Sequence, residues 1–301
     1  MKKLLIVLPF IASFSSITNA HIIGEDSRTK GDDFPVSPQY YNSFYQSELA
    51  KENLVHIECT KNKKWTQNTT SGFLIDVADY AKNNHISGDF ETCKNKVVLS
   101  VAHYLIEKDT PPTGSCSIYQ GFKTKLGKTT YAKATSNVSF GNSGTDSKLN
   151  SREMRQDFAF IEIGGFVGDE NPSRDNLKIC KRNRAYKADS LILPHLSRYE
   201  NDKWALQKGF KIKAKMTSGV CSRMFNDNAG LISHDCDMDQ RASGSPLLSK
   251  GQGNDICVLG IQSAEGTTPE KVKTNFAAGL TGNPHFEAKF NRFVRNLSCR
   301  K

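Results

Sequence analysis

The sequence lacks the motifs and hydrophobic runs that mark several common protein classes. Its 301 residues contain no CxxC pair and no HExxH motif, so zinc ribbons, thioredoxin-like redox sites and HExxH zinc proteases are not indicated. Beyond the N-terminus, no apolar stretch approaches the roughly 20 residues that a membrane-spanning helix needs. Charged residues make up 24% of the chain, an ordinary fraction that is typical of a folded protein and not of a disordered one.

The positive charge of the chain is spread along its length. The net charge is +10, and short basic clusters lie far apart, at 61–64, 123–128 and 181–184. No nucleic-acid-binding motif accompanies them, so we interpret them as a solvated surface and expect no nucleic-acid partner. The histidines show no metal-ligand spacing, and we expect no metal and no cofactor.

Residues 1–20 have the pattern of a secretory signal peptide. Lys2 and Lys3 supply a positive start, residues 4–14 are almost wholly apolar, and Ala20 is a small residue that signal peptidase accepts. An uncleaved anchor is the alternative interpretation. Cleavage would leave 39 basic and 31 acidic residues in a secreted or periplasmic protein that is not stably inserted in a membrane.

All eight cysteines lie beyond this segment, which fits an oxidising compartment and up to four disulfides. Eight cysteines allow 105 connectivities, so the sequence alone does not pair them. Cys93–Cys116 and Cys221–Cys236 are candidate pairs because each would close a short loop.

Short strand-like runs alternate with turn-rich segments after a polar stretch at 21–50, which we interpret as an N-terminal arm or propeptide-like segment. The domain proper is expected at 51–301. Many short strands with Gly, Asn and Pro turns favour an all-β barrel or sandwich. The predicted strands are 53–58, 71–77, 96–101, 157–163, 189–196, 210–216, 245–249 and 257–263.

One helix is predicted, at the C-terminus. Asn283 and Pro284 give a start signal, and apolar residues then recur at helical spacing, which predicts a face that packs on the domain. These residues are Phe286, Phe290, Phe293, Val294 and Leu297. The polar stretch 78–90 carries Asn83, Asn84 and Gly88, and we expect it to be a loop insertion.

Three segments together fit the needs of acyl-transfer catalysis. His103 follows the apolar run VVLSVA, where a general base could be buried on one side and open on the other. Asp157 begins the run DFAFIEI and could fix the tautomer of that histidine. Ser243 lies in SGSPLL, where Gly244 permits a tight turn that exposes the hydroxyl. Each residue alone also fits a structural role, but the order His, Asp, Ser is that of the chymotrypsin arrangement.

These segments resemble the trypsin-like (chymotrypsin-fold) serine proteases, and within them the bacterial glutamyl-endopeptidase branch. VLSVAHYL is similar to the family's V-L-T-A-A-H-C, DFAFIEI to D-[IF]-A-[LV]-[IL], and ASGSPLL to x-S-G-S-P-[VL]. GIQSAEG, at 260–266, resembles the strand that lines the substrate cleft, and IIGEDSRT, at 22–29, resembles the mature start of glutamyl endopeptidases.

The resemblance implies two six-stranded antiparallel β-barrels with a cleft between them and a C-terminal α-helix. It also implies a monomeric secreted endopeptidase that acts on protein or peptide substrates. Ser243 would be the nucleophile, His103 the general base and Asp157 the residue that orients His103. The backbone N–H groups of Arg241 and Ser243 would form the oxyanion hole. Asp237, Gln262, Ser263 and Glu265 would contact the substrate.

Some positions depart from the family pattern. Arg241 replaces the usual Gly, and a Cβ restricts the backbone angles that aim its N–H inward, so the alternative is a catalytically weak or inactive homologue that binds proteins. Tyr104 stands where the family has a Cys. Gln262 replaces the His that binds acidic side chains in the glutamyl-endopeptidase branch. Asp237 stands where trypsin keeps the acid that binds Lys or Arg, but the bacterial branch has an Asp near there with a structural role, and both interpretations stay open. Glu265 would favour a basic side chain, so the specificity is left open.

Overall fold

A computed structural model of the chain describes residues 29–30, 53–59, 69–91, 96–103, 115–120, 130–133, 151–163, 176–181, 191–197, 215–221, 224–226, 229–236, 238, 242–250, 256–267 and 273–297. Within these ranges the chain is mainly β-sheet, arranged as two sheets with a helix at the C-terminal end. The predicted signal peptide, Tyr104, Asp237 and Arg241 lie outside the described residues.

The first sheet has six strands, and every neighbouring pair in it is antiparallel. Its apolar side chains come from several strands and form one buried cluster that includes Val55, Ile57, Leu74, Val98 and Ile161. The strands lie in the order β6-β5-β2-β3-β4-β7. Their bounds are β2 Leu54–Cys59, β3 Thr69–Ile75, β4 Lys96–Ser100, β5 Ser115–Gln120, β6 Thr130–Lys133 and β7 Ala159–Ile163.

The second sheet has nine described strands, of which eight follow the order β1-β10-β9-β13-β14-β15-β12-β11. The ninth, β8, pairs in parallel with β14. The bounds are β1 Thr29–Lys30, β8 Lys178–Ile179, β9 Leu191–Ser197, β10 Lys215–Val220, β11 Met224–Asn226, β12 Leu231–His234, β13 Pro246–Lys250, β14 Ile256–Thr267 and β15 Lys273–Gly279.

The predicted mostly antiparallel β architecture is confirmed, and the first sheet has the six strands expected. The second sheet differs, because nine described strands take part in it and one of them is parallel. Part of the difference is the predicted N-terminal arm, whose residues 29–30 pair with β10.

The loop predicted at 78–90 is wrong for its first half, where helix α1 spans Val77–Asn83. The Asp76 carboxylate caps the helix by accepting from the Asp79 N–H at 2.9 Å. Tyr80 and Ala81 are buried, and Val77 and Ala78 are partly buried against the same core, so apolar contacts hold the helix. The sequence pattern misses this helix because it is only seven residues long and because Val77 fits the end of the preceding predicted strand.

The C-terminal helix is confirmed as α3, Pro284–Arg295, and a short helix α2, Ser151–Met154, precedes β7. The Asn283 side chain accepts from two N–H groups in the first turn of α3 and donates to the carbonyl oxygens of Arg155 and Gly279. Phe286 packs edge-on against Phe158, with ring centroids 5.4 Å apart. The helix therefore fixes the segment that carries Asp157. No helix in the described ranges is long and apolar enough to cross a membrane.

Two disulfides are found among the described residues. The predicted pair Cys221–Cys236 is confirmed, and Cys180–Cys257 is a second pair that the sequence did not indicate. The predicted pair Cys93–Cys116 involves Cys93, which lies outside the described residues. In the backbone register, Cys116 on β5 stands opposite Cys59 on β2.

Candidate active site

The pairing of β4 with β7 brings His103 and Asp157 together. Ser100, the last residue of β4, stands opposite Ala159, the first residue of β7, so the end of one strand meets the start of the other. The His103 Nδ1 atom lies 2.6 Å from Asp157 Oδ2. The other carboxylate oxygen accepts from the backbone N–H groups of Ala102 and His103 at 2.9 and 3.0 Å.

Asp157 is fully buried, and its carboxyl is held ionised by its neighbours. Burial by itself would raise the pKa of Asp157, but the charge and hydrogen bonds of His103 and the hydroxyl of Ser263 outweigh it and lower that pKa below its ordinary value. A carboxylate at this distance accepts a hydrogen bond from the Nδ1–H of a neutral imidazole. That tautomer leaves Nε2 as the nitrogen that can accept a proton.

Ser243 lies in a tight turn before β13. The turn is closed by the Ser245 N–H, which donates to the Ala242 carbonyl at 2.9 Å. Gly244 has φ of +87°, and a Cβ there would collide with the Ser71 carbonyl oxygen, so only glycine fits. Ser243 is partly exposed, whereas its neighbours Ala242, Gly244 and Ser245 are buried. The turn thus leaves the Ser243 side chain partly accessible to solvent.

Ser263 is the residue that connects Ser243 to Asp157. Its hydroxyl donates to Asp157 Oδ2 at 2.5 Å, and its carbonyl oxygen accepts from the Ser243 hydroxyl at 3.2 Å. A register shift between Gln262 and Ala264 sets Ser263 apart from the regular pairing of β14 with β15. Asp157 and Ser243 therefore both bond one bulged residue of β14, and His103 is connected to that residue through Asp157.

The first sheet also contacts the Ser243 turn, through residues that the sequence motifs did not reveal. The Ser243 carbonyl oxygen accepts from the Thr70 hydroxyl at 2.9 Å and from the Ser71 N–H at 3.0 Å. The Ser71 carbonyl in turn accepts from the Ser100 hydroxyl at 2.6 Å. A Thr and a Ser in a strand carry no local signal, because the contact spans 173 residues of sequence.

Gln262, one of the residues predicted to contact substrate, is buried and bonded to the protein. Its Nε2 donates to the Ala264 carbonyl at 3.1 Å, and its Oε1 lies 2.7 Å from His234 Nε2. Because the amide nitrogen is used as a donor, Oε1 is the acceptor and His234 Nε2 carries the proton. Its backbone also holds the Ser243 turn, since the Gly244 N–H donates to the Gln262 carbonyl at 2.8 Å.

Glu265 is partly buried on β14, opposite Asn275 of β15. Of the other two predicted substrate contacts, Ser263 lies at the bulge described above, whereas Asp237, like the oxyanion-hole candidate Arg241, lies outside the described residues.

His234 is one of three buried histidines among the described residues, with His56 and His195, and the sequence singled out none of them. Burial lowers the pKa of His234 to about 4, against the weaker effects of the Gln262 bond and the Asp235 charge. Its ring and the sulfurs of Cys221 and Cys236 lie within 4.8 Å of one another. Both sulfurs are joined in a disulfide, so these described side chains offer no thiolate to a metal ion.

Comparisons with known proteins support the fold and leave the family open. No family model and no curated protein matches the sequence. Among solved structures, the thermostable serine protease AL20 from an extremophilic microorganism matches with a TM-score of 0.51 at 12% identity, over 83% of this chain and all of that chain. The active form of the Rv3671c protease from M. tuberculosis matches with a TM-score of 0.47 at 13% identity, over 88% of this chain and 92% of that chain. The chain shares the fold of a serine protease, and at this identity the likeness concerns the fold alone.

Proposed function

We propose that the protein is a serine endopeptidase that cleaves peptide bonds through Ser243, His103 and Asp157. The observation that carries the proposal is the arrangement around Ser263, which bonds Ser243 through its carbonyl and Asp157 through its hydroxyl, while Asp157 also bonds His103. A buried, ionised acid bonded to a histidine, near a partly exposed serine in a tight turn, matches the roles needed for acyl transfer.

In the first half of the proposed reaction, Ser243 Oγ attacks the carbonyl carbon of the substrate and gives its proton to His103 Nε2. The tetrahedral intermediate collapses by breaking the C–N bond, and His103 returns the proton to the leaving amine. Asp157 keeps the imidazole in the required tautomer and stabilises its positive form.

In the second half, water attacks the acyl group on Ser243 and passes a proton to His103, which then returns it to Ser243 as the acid product leaves. The backbone N–H groups of Arg241 and Ser243 are proposed to bind the oxyanion in both halves. Loss of one such donor costs about 100-fold or more in kcat. The scheme needs no metal and no cofactor.

The test is covalent labelling of the folded, oxidised full-length protein with a fluorophosphonate probe. The expected result is that the wild type is labelled, that Ser243→Ala and His103→Ala are not, and that peptide mapping places the label on Ser243. Ser245→Ala is the matched control, because it removes a buried hydroxyl two residues away, and it should still be labelled on Ser243.

A folded wild-type protein that is not labelled would contradict the proposal and favour a homologue that binds proteins without cleaving them. Labelling of Ser243→Ala would show that the nucleophile is misassigned. Thermal unfolding of each variant separates loss of chemistry from loss of fold.

We further propose the finer assignments that the sequence resemblance implies. They are membership of the glutamyl-endopeptidase-like branch, closure of both sheets into barrels, a signal peptide at 1–20, an arm or propeptide-like segment at 21–50, a protease domain at 51–301, and a secreted monomer. N-terminal sequencing of the exported protein and its mass in solution test the processing and the monomeric state.

A panel of fluorogenic peptides that differ only before the scissile bond tests the specificity. Faster cleavage after Lys or Arg would support roles for Asp237 and Glu265. Faster cleavage after Glu would count against those roles. It would instead support the preference for acidic side chains that the glutamyl-endopeptidase branch implies.

A further inference from the structure

We propose that Thr70 is a positioning residue, whose hydroxyl holds the nucleophile turn against the sheet that carries His103. The inference rests on the proposed function and assigns a role to a residue outside the triad. Thr70 lies at the start of β3, is buried, and donates its hydroxyl to the carbonyl oxygen of Ser243 at 2.9 Å.

The Ser243 carbonyl has both of its acceptor positions filled from β3. The second donor is the Ser71 N–H at 3.0 Å. Two donors on one carbonyl fix the direction of the peptide group between Ser243 and Gly244. The Thr70 hydroxyl has one proton, and its alternative acceptor, the Ser71 carbonyl, is more distant at 3.4 Å. The shorter contact therefore takes the proton.

This bond connects the two sheets at the point where the catalytic residues meet. Ser243 precedes β13 of the second sheet, whereas Thr70 and Ser71 belong to the first. Beside β3 lies β4, which ends three residues before His103, and the Ser100 hydroxyl ties β4 to the Ser71 carbonyl at 2.6 Å. The position of Ser243 relative to His103 is thus set through a short chain of contacts that begins at Thr70.

Of the two hydrogen bonds from β3 to the Ser243 carbonyl, only one depends on a side chain. The Ser71 N–H is present whatever residue occupies that position, but the Thr70 bond needs a hydroxyl. The close approach of the turn to β3 also requires Gly244, because its lack of a Cβ leaves room for the Ser71 carbonyl oxygen. Without the hydroxyl, the Ser243 carbonyl keeps the Ser71 N–H as its donor from the first sheet, while the Gly244 N–H still holds the turn to Gln262 of its own sheet, so the turn can shift relative to the first sheet. A misplacement of about 1 Å near reacting atoms can cost on the order of 100-fold in rate.

The experiment compares Thr70→Val, which removes the hydroxyl at nearly constant shape, with Thr70→Ser, which keeps it. Thr281→Val is the matched control, because the Thr281 hydroxyl also donates to a backbone carbonyl, that of Cys180, at 2.5 Å, away from the triad. Thr70→Ala is measured in parallel and carries the test if Thr70→Val does not fold. Each variant is assayed for kcat, KM, the rate of fluorophosphonate labelling and the thermal midpoint.

We expect Thr70→Val and Thr70→Ala to lose about tenfold in kcat and in labelling rate. This loss lies between the rate effect of one lost hydrogen bond and the larger rate effect of a full misplacement of the reacting atoms. KM should change by less than about twofold, since the substrate does not touch Thr70, and Thr70→Ser should stay within about twofold of wild type in kcat. Thr281→Val should lower the thermal midpoint and leave kcat unchanged.

Wild-type kcat and labelling rate in the folded hydroxyl-free variants would overturn the inference. It would also be overturned if Thr70→Ser were as slow as Thr70→Val, because the methyl group and not the hydroxyl would then matter. Failure of the wild type itself to label is a different result, since it would contradict the proposed function and not the role of Thr70.

Discussion

The Ser263 hydroxyl lies 2.5 Å from Asp157 Oδ2, and His103 Nδ1 lies 2.6 Å from the same oxygen. Asp157 therefore has four hydrogen bonds, two on each oxygen, in a place with no exposure to water. Without those donors a buried carboxylate would take up a proton at a higher pH.

Removal of the Ser263 hydroxyl should raise the pKa of Asp157. The acid limb of the pH–rate profile that reports this carboxyl should therefore move to higher pH in Ser263→Ala. We expect kcat to fall by about tenfold or more near neutral pH, since a hydrogen bond to a charged group contributes about 1.5–3 kcal/mol. The measurement is kcat/KM between about pH 3 and 9, because the pKa of Asp157 lies below the ordinary carboxyl value.

Ser263→Thr keeps a hydroxyl at the same position and serves as the control for this prediction. Its acid limb should coincide with that of the wild type. If the Ser263→Ala limb stayed in place, or moved to lower pH, Ser263 would not be the donor that stabilises the carboxylate.

A methyl group at Gly244 should disrupt the nucleophile turn. Gly244→Ala would place a Cβ against the Ser71 carbonyl oxygen at φ of +87°, so the turn must move. Gly282→Ala is the matched control, because Gly282 has φ of +75° with no atom within 4 Å of an added Cβ. Both variants should lose about 1–2 kcal/mol of stability from the left-handed backbone. Only Gly244→Ala should also lose about 100-fold or more in kcat. Equal activity in the two variants would count against the collision.

The sequence predicted those features of the site that short motifs carry. His103, Asp157 and Ser243 each sit beside a strand and were found by local pattern, and the structure brings Asp157 into contact with His103. Residues such as Thr70 could not be found, because their contact with Ser243 depends on how two sheets meet. Ser263 was expected to bind substrate, but the additional bond of its hydroxyl to Asp157 depends on a bulge that no local pattern shows.

The same distinction between local and distant contacts applies to the fold. The strands and α3 follow from periodicity and from the Asn283 start signal. Helix α1 does not, because seven residues are too few to show a helical period and Val77 fits the end of the preceding predicted strand. The disulfide Cys221–Cys236 was anticipated from its short loop. Cys180–Cys257 was not, since it follows from the parallel pairing of β8 with β14.

The two described disulfides should differ in how much they stabilise the fold. Cys180 and Cys257 are 77 residues apart, and Cys221 and Cys236 are 15 apart. By loop entropy, the first should contribute about 4.5 kcal/mol and the second about 3 kcal/mol. The paired variants Cys180→Ala/Cys257→Ala and Cys221→Ala/Cys236→Ala, compared by urea unfolding, should therefore differ by about 1.5 kcal/mol. A larger loss on removal of the shorter loop would show that local packing outweighs chain entropy.

His234 should make the stability depend on pH in the mildly acidic range. Its pKa is about 4 in the folded protein, against an ordinary 6.5 in the unfolded chain, because burial disfavours the charged ring. Between these values the unfolded state binds the extra proton, so the free energy of unfolding rises with pH from about 4 to 6.5. A pKa shift of this size corresponds to a change of about 3 kcal/mol in the free energy of unfolding across this pH range.

The variant His234→Gln removes this titration while an amide N–H can still donate to Gln262 Oε1. Urea unfolding of the wild type and the variant at pH 4.5, 5.5 and 7.5 should show a shallower pH dependence in the variant, with the difference confined to the acidic points. His285→Gln, which replaces an exposed histidine in the first turn of α3, is measured in parallel as the control for the same substitution at a surface position. Because other groups also titrate in this range, the decisive quantity is the change in slope between each variant and the wild type. An unchanged slope in His234→Gln would show that the buried ring does not resist protonation.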